Sequence, residues 1–176
     1  MKTIHNLPDN WESAMEYQTL LDQRDRYQKR AYICSPCSDS SRRAMYQNMV
    51  AARFYMQYAK KELCFSARAP HAYLPVLFND GAPAERAIAL QIGLHLLELS
   101  DMMLVCGDRL SSGMRGEIEH AVKIQIPILV FHPDLYLAVR KLVTRMGGDK
   151  RQVSCESGHT ALAMSMEALF ESEEAK

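Results

Sequence analysis

From residue 31 onward the sequence predicts a three-layer α/β fold, in which helices flank a parallel sheet of four or five strands. Short apolar runs alternate with helical segments of about ten to twenty residues, which is the pattern of right-handed βαβ units. Turn-forming residues such as Pro36 and Gly107 end the apolar runs. Hydrophobic residues make up 48% and charged residues 24% of the 176 residues, as in one ordinary globular domain. We therefore expect a Rossmann- or flavodoxin-like arrangement.

The strands are predicted from short apolar segments that turn-forming residues bound. The first segment stops at Pro36, and the third stops at Gly107 and Asp108. The fifth segment is expected at an edge of the sheet. The predicted strands are residues 31–35, 63–67, 102–106, 127–131 and 152–155.

The helices are predicted from apolar residues at three-and-four spacing and from residues that cap helix ends. Pro83 suits the first turn of a helix, and Gly147 and Gly148 suit the end of another. Residues 69–83 hold three prolines and an Asn-Asp-Gly sequence, which predicts a loop. The predicted helices are residues 42–61, 83–99, 111–125, 134–146 and 160–171.

The first 29 residues predict a helix that is separate from this domain. Pro8, Asp9 and Asn10 are typical of the start of a helix, where Asp9 or Asn10 can be the cap. Residues 11–28 contain few helix breakers. Apolar positions are sparse, so we expect this helix to lie on the core or on a neighbouring subunit. The predicted organisation is an appended helix over residues 1–29 and one domain over residues 30–176.

Charge and cysteine content exclude several classes of protein. Lys plus Arg number 21, as do Asp plus Glu, so no basic surface predicts a nucleic acid or an anionic membrane as partner. No apolar run approaches the roughly 18 residues that span a bilayer, and residues 1–11 lack the apolar region of a signal peptide. An odd number of cysteines, 5, favours reduced thiols and a cytoplasmic location.

The segment 83–99 predicts self-association. Gln91, His95 and Glu98 form one narrow polar stripe, and most of the remaining helix circumference is apolar. A helix that is apolar nearly all round is buried on two sides. We expect one side to cover the sheet and the other to meet a second subunit, so a homo-oligomer, a dimer or larger, is predicted.

Candidate site residues follow the first and third strands, where parallel sheets bind ligands. Ser111, Ser112 and Gly113 open a helix whose free N–H groups can seat an anion such as phosphate. Glu117 follows one turn later and has no i+4 partner, unlike Glu119 with Lys123. Glu117 is therefore either a carboxylate directed into a pocket or a residue that merely favours the helix dipole.

The loop after the first strand has the same geometry. Ser35, Ser38, Ser41 and Arg42 can hold a phosphate or ribose, or can simply cap the next helix. After the second strand, His71 is either a proton donor and substrate contact or a structural histidine.

A Cys-x-x-Cys sequence offers a redox alternative. Cys34 and Cys37 flank a proline at a strand-to-helix junction, as in thioredoxin-like sites. However, Cys34 belongs to the apolar strand, whereas an attacking thiol should be exposed at the helix start. The pair also lacks the second cluster that a zinc site needs, so no metal is predicted.

Several short motifs occur along the chain in a fixed order: Tyr32–Pro36, Asn48 with Ala52, Ala69–His71, Asp101–Val105 and Ser111–Ala121. Together they resemble the nucleoside 2-deoxyribosyltransferase-like superfamily, in particular its phage and bacterial members, over about residues 31–132. The resemblance implies that residues 30–176 form such a domain, which acts on a nucleoside or nucleotide and needs no cofactor.

The resemblance also implies roles for single residues. Glu117 matches the nucleophile that attacks the anomeric carbon, and Tyr32 matches the tyrosine that orients it. Ser111 and the loop 35–41 match the groups that contact a 5′-phosphate.

One position departs from the family pattern. Gly93 stands where the family has an aspartate that helps to protonate the base. The replacement acids open to this sequence are His71, Asp80 and Asp108. Two functions therefore stay open beside the redox alternative: an N-glycosidic-bond enzyme, by hydrolysis or base exchange, and a nucleotide-binding sensor without turnover.

Overall fold

The sheet of this protein has five strands, all parallel, in the computed structural model, which describes residues 29–37, 41–79, 81–165 and 168. The strand order is β2-β1-β3-β4-β5. This is the flavodoxin-like order, in which ligands bind between the carboxyl ends of β1 and β3, where the strand order reverses. The predicted fold class is confirmed. The strands are β1 Arg30–Cys34, β2 Ser66–Arg68, β3 Met102–Val105, β4 Ile128–Val130 and β5 Val153–Cys155.

Helices connect the strands, and serines cap two of them. The Ser41 hydroxyl accepts from the Ala44 N–H at 3.0 Å, and the Ser111 hydroxyl accepts from the Met114 N–H at 3.3 Å. These caps fix the starts of the helices that follow β1 and β3. The helices of the described residues are α1 Arg42–Glu62, α2 Leu74–Leu77, α3 Pro83–Glu98, α4 Ser112–Lys123 and α5 Pro133–Arg145, with 3₁₀ turns at Pro70–Ala72, Lys150–Gln152 and Thr160–Ala163.

The core has two halves because side chains alternate across the sheet. On β1, Tyr32 and Cys34 pack with residues of α3, α4 and α5. Ala31 and Ile33 point the other way and pack with residues of α1. All four side chains are fully buried. The sheet is therefore the middle of three layers, and Tyr32 faces the layer that contains α4.

The prediction for β2 is wrong by three residues. Helix α1 continues to Glu62, and the N–H of Leu63 still bonds the Ala59 carbonyl oxygen at 3.2 Å. Cys64 then adopts a left-handed φ of 55°, which turns the chain. The strand can begin only after this turn, at Ser66.

The predicted loop at residues 69–83 is also wrong in part, because it contains a 3₁₀ turn and the short helix α2. Pro70 and Pro75 lie in the first turns of these elements, where the missing proline N–H removes no helical hydrogen bond. The prolines that predicted a loop therefore start two helical turns. These turns form one wall of the cleft described below.

Two predicted helices fall wholly or partly outside the described residues. The appended helix over residues 1–29 lies outside them, apart from its last residue. The predicted helix at 160–171 begins instead as the 3₁₀ turn Thr160–Ala163. Among the helices of the described residues, none combines the length and apolar character that crossing a membrane requires.

Candidate active site

A cleft of about 330 Å³ opens beside the carboxyl end of β1. It lies between the turn at Pro70–Ala72, α2, one face of α3 and the start of α4. Its volume is within the usual range for small-molecule sites. Much of the lining is apolar, and these side chains are Met45, Pro70, Leu74, Pro75, Phe78, Ala89, Leu90, Leu94 and Met114.

Glu117 lies in this cleft and is held from the sheet. The Tyr32 hydroxyl donates a hydrogen bond of 2.9 Å to Oε1 of Glu117. The other carboxylate oxygen, Oε2, is shielded from solvent and has no hydrogen-bond partner. The contact between these two residues, which are 85 apart in sequence, is the one that the sequence led us to expect.

The environment of Glu117 makes its carboxyl group a weak acid. Burial raises its pKa from 4.5 to about 7, although the Cys34 thiol and the Tyr32 hydroxyl act in the opposite direction. Burial also raises the pKa of Tyr32 well above its usual range, and the neighbouring Glu117 adds to this effect. Tyr32 therefore stays protonated and can donate its hydrogen bond. An ionised Glu117 is a desolvated and reactive oxygen nucleophile.

Glu117→Gln is expected to stabilise the fold at high pH but not at low pH. Because the folded-state pKa is raised, the folded protein binds more protons than the unfolded chain between about pH 4.5 and 7, and stability falls as pH rises through this window. The full cost is at most about 3 kcal/mol, or several degrees in Tm. Thermal melts of the wild type and of Glu117→Gln at about pH 5 and about pH 8.5 measure this difference in stability. Glu119→Gln is the control, and an equal Tm difference at both pH values would contradict the buried carboxylate.

Tyr32→Phe is expected to raise the pKa of Glu117 further, since it removes a hydrogen bond that favours the ionised form. Carboxyl carbon shifts from NMR titration of labelled protein measure this pKa directly. Tyr55→Phe is the matched control, because Tyr55 is equally buried but bonds the Met164 carbonyl oxygen instead. An unchanged titration in Tyr32→Phe would show that the tyrosine does not act on the carboxylate.

Ser35 and His71 form a buried pair in the same cleft. Ser35 Oγ and His71 Nε2 are 2.7 Å apart, and both residues line the cleft. Burial lowers the pKa of His71 to about 4, so the imidazole is neutral at physiological pH. The two residues were predicted from sequence to have separate roles, Ser35 in binding phosphate or ribose and His71 as a candidate acid or substrate contact. Their contact follows from topology, because β1 and β2 are parallel neighbours and their carboxyl ends meet.

The start of α4 opens into the cleft. Ser111, Ser112 and Gly113 line it, and Ser111 also caps the helix. A side chain added at Gly113 or Gly116 would meet nothing within 4 Å. Space for a ligand therefore lies directly against the first turn of α4.

The other predicted site residues are placed elsewhere. Ser41 caps α1 and, like Arg42, is exposed and outside the lining of the Glu117 cleft in the described residues. Asp108 lines a smaller neighbouring pocket of about 140 Å³ and not the Glu117 cleft. It is separated from Glu117 because it follows β3 on the side where α1 packs. Ser38 and Asp80 lie outside the described residues.

The sequence interpretation did not identify one wall of the cleft, the face of α3. Arg86, Leu90, Gly93 and Leu94 line this wall. Their three-and-four spacing, counted from Leu90, is the signal that could have found them. A Cβ atom at Gly93 would lie 3.5 Å from the Tyr32 hydroxyl oxygen, so position 93 directly faces the tyrosine that holds Glu117.

The redox alternative does not fit the two cysteines. Cys34 and Cys37 form no disulfide with each other, and Cys34 is fully buried. Burial raises the pKa of Cys34 well above its ordinary value, and the neighbouring Glu117 raises it further. A redox-active cysteine needs an accessible thiolate, so Cys34 is better described as a neighbour of the Glu117 carboxylate.

The sheet order and the position of the cleft define a doubly wound α/β protein with a buried carboxylate at the carboxyl edge of its sheet. The chain belongs to the family DUF7768, described as a domain of unknown function, whose sequence profile matches residues 29–131. No curated protein matches the chain significantly. Among solved structures, it is similar to a 2-deoxyribosyltransferase from the psychrotolerant bacterium Bacillus psychrosaccharolyticus. The two share 16% sequence identity with a TM-score of 0.46, over 59% of this chain and 72% of that one.

Proposed function

We propose that this protein cleaves the N-glycosidic bond of a nucleoside or nucleotide, with Glu117 as nucleophile and residues 30–176 as a nucleoside 2-deoxyribosyltransferase-like domain. One observation carries the proposal. Glu117 lines a ligand-sized cleft, its Oε1 accepts a hydrogen bond from Tyr32, and its Oε2 is buried without a hydrogen-bond partner. A buried oxygen without a partner is costly for a fold, so a functional role explains its presence.

The chemistry follows the retaining glycosidases. A carboxylate oxygen of Glu117 attacks C1′ of the sugar while the C1′–N bond breaks through an oxocarbenium-like state, and the electron pair of the C1′–N bond stays on the nitrogen of the base. The product is a glycosyl ester of Glu117. Water or a second base then attacks C1′ and releases the carboxylate, which gives hydrolysis or base exchange. The Tyr32 hydroxyl orients Glu117 throughout.

The ligand orientation follows from the chemical character of the walls. Ser111, Ser112 and the free N–H groups at the start of α4 suit the sugar and a 5′-phosphate. The apolar side chains of α2 and α3 suit the flat face of a base. The neutral Ser35–His71 pair adds hydrogen-bonding groups without adding charge.

A second candidate function is a nucleotide-binding sensor without turnover, and Gly93 favours it. A carboxyl group at position 93 would face Tyr32 and the cleft, but glycine provides none. Two measurements on the wild type separate the candidates: chromatographic detection of free base, and calorimetric titration with nucleoside monophosphates. Release of base that depends on Glu117 supports the enzyme. Tight binding without release supports the sensor.

We also propose that the exposed face of α3 binds a second copy of this chain. Ile88 and Leu90 are 47% and 54% exposed, and Val76 and Leu77 of α2, the helix that precedes α3 along the chain, are each 71% exposed. Leu90 also lines the cleft, so the apolar surface continues to its rim. An apolar surface of this kind marks an association site.

Light scattering at micromolar concentration is expected to give a dimer or a larger assembly. Ile88→Lys places a charge in the proposed interface and is expected to shift the mass toward the monomer. Leu137→Lys on α5, where Leu137 is 55% exposed, is the matched control and is expected to leave the mass unchanged. A monomeric wild type would contradict the interface.

A further inference from the structure

We propose that the substrate carries a positively charged leaving group, that is, an N-glycoside of a pyridinium-type or N-alkylated purine nitrogen. This inference rests on the proposed function, because it concerns the bond that Glu117 would break. Its basis is the set of polar groups that line the cleft, because one of these groups would have to give a proton to a departing base.

Few side chains in the cleft are able to donate a proton to a leaving group. Among the described residues that line it, Glu117 is the one carboxyl group, and its role is to attack C1′. The Tyr32 hydroxyl already donates to Glu117. His71 is neutral, with a pKa of about 4, and shares its Nε2 contact with Ser35. The remaining polar residues of the lining are Cys37, Arg86, Ser111 and Ser112.

Guanidinium and hydroxyl groups hold their protons too tightly to act as acids near neutral pH. An imidazole with a pKa of about 4 is rarely protonated there. A neutral purine or pyrimidine that leaves with the electron pair of the C1′–N bond becomes an anion, and it needs a proton to leave quickly. Apart from the thiol of Cys37, no group of the described lining readily supplies that proton, so the cleft suits a base that needs none.

A cationic base meets this condition. When the Glu117 carboxylate attacks C1′, the bonding pair of the C1′–N bond neutralises the positive nitrogen, and the base departs uncharged. Water then attacks C1′, Glu117 leaves as carboxylate, and one proton goes to solvent. The balanced reaction converts the cationic glycoside and water into free sugar, neutral base and a proton.

The charges in the cleft agree with this substrate. A cation beside Glu117 favours the ionised carboxylate and so increases the fraction of nucleophile. Apolar side chains of Leu94 and Met114 provide contact for an aromatic ring. Arg86 lies two turns before Gly93 on α3, about 10 Å along the helix axis, and is exposed. The backbone position of this positive charge is thus about two turns from the residue that faces Tyr32.

A matched pair of substrates tests the inference. 7-Methylguanosine and guanosine differ by one methyl group and one positive charge, and nicotinamide mononucleotide represents the pyridinium class. We expect the wild type to cleave the cationic glycosides at least about 10²-fold faster than guanosine, since a missing acid costs about 10²- to 10⁴-fold. Comparison of nicotinamide mononucleotide with 7-methylguanosine then separates a pyridinium from a purine substrate. Glu117→Gln must abolish the cleavage of each.

Gly93→Asp provides an independent test, because it places a carboxyl group at position 93, where a Cβ atom would make an ordinary van der Waals contact of 3.5 Å with the Tyr32 hydroxyl oxygen. The ratio of the cationic rate to the guanosine rate is expected to fall by about 10²-fold. Gly93→Asn has the same shape without the acid and is expected to keep the wild-type ratio. Circular dichroism confirms that both variants are folded, and the wild-type comparison stands without them.

Two outcomes distinguish the failure of one proposal from the failure of both. Guanosine cleavage as fast as 7-methylguanosine cleavage would overturn the charged leaving group and leave the Glu117 mechanism intact. Asp80→Asn and Cys37→Ser would then locate the acid. No Glu117-dependent cleavage of either class would overturn both proposals.

Discussion

Glu117→Gln is expected to reduce the release of base by about 10⁴-fold or more, which is the scale of losing a catalytic nucleophile. The amide keeps the size of the side chain and can still accept the hydrogen bond of Tyr32, but it cannot form the glycosyl ester. Initial rates of base release, followed by chromatography, measure the effect. Binding of the nucleotide is expected to persist, because the start of α4 contacts it through separate groups.

Glu119→Gln is the matched control for this variant. Glu119 lies two residues along the same helix, is absent from the lining of the cleft, and changes the net charge equally. We expect it to keep nearly the full rate. Equal losses in the two variants would mean that charge or fold, rather than a nucleophile, explains the result.

The rate of base release is expected to fall about tenfold per pH unit below pH 7, which amounts to about 10²-fold at pH 5. The sign follows from the chemistry of Glu117, because only the ionised carboxylate attacks C1′ and its pKa is about 7. Above this pKa the rate should reach a plateau when the leaving group is cationic, since no acid has to stay protonated. A log-rate plot against pH for kcat/KM measures both limbs.

A rate that is independent of pH between about 5 and 8 would contradict the raised pKa of Glu117. A bell-shaped profile with a second limb above pH 7 would instead reveal an acid that donates to the leaving group. Tyr32→Phe serves as a further check, since it should move the lower limb to higher pH.

The architecture was largely predictable from sequence, because the spacing of apolar residues and the positions of turn residues determine the strands and helices locally. The strands β3, β4 and β5 lie within their predicted segments, and β1 begins one residue before its segment. The errors arise where local signals compete. Prolines 70 and 75 indicate a loop, but they also suit the first turn of a helix. The end of α1 depends on a left-handed Cys64, which no propensity indicates.

The candidate site was predictable only in part. The spacing of Ser111, Gly113 and Glu117, and the match of Tyr32 to the family pattern, directed attention to residues that line one cleft in the structure. The pair Ser35–His71 and the raised pKa of Glu117 depend on which side chains close the cleft. That closure comes from α2 and α3, elements whose positions no local pattern determines.

The covalent intermediate tests the central claim most directly. A 2′-fluoroarabinosyl nucleoside slows both steps, because fluorine destabilises the oxocarbenium-like state, and so lets the glycosyl ester accumulate. Mass spectrometry of protein incubated with the fluoroarabinosides of nicotinamide and of guanine, followed by peptide mapping, should find one added fluorosugar on Glu117 and none in Glu117→Gln. Release of base from these compounds with no adduct, or with the adduct on a different residue, would contradict the assignment of Glu117 as the nucleophile.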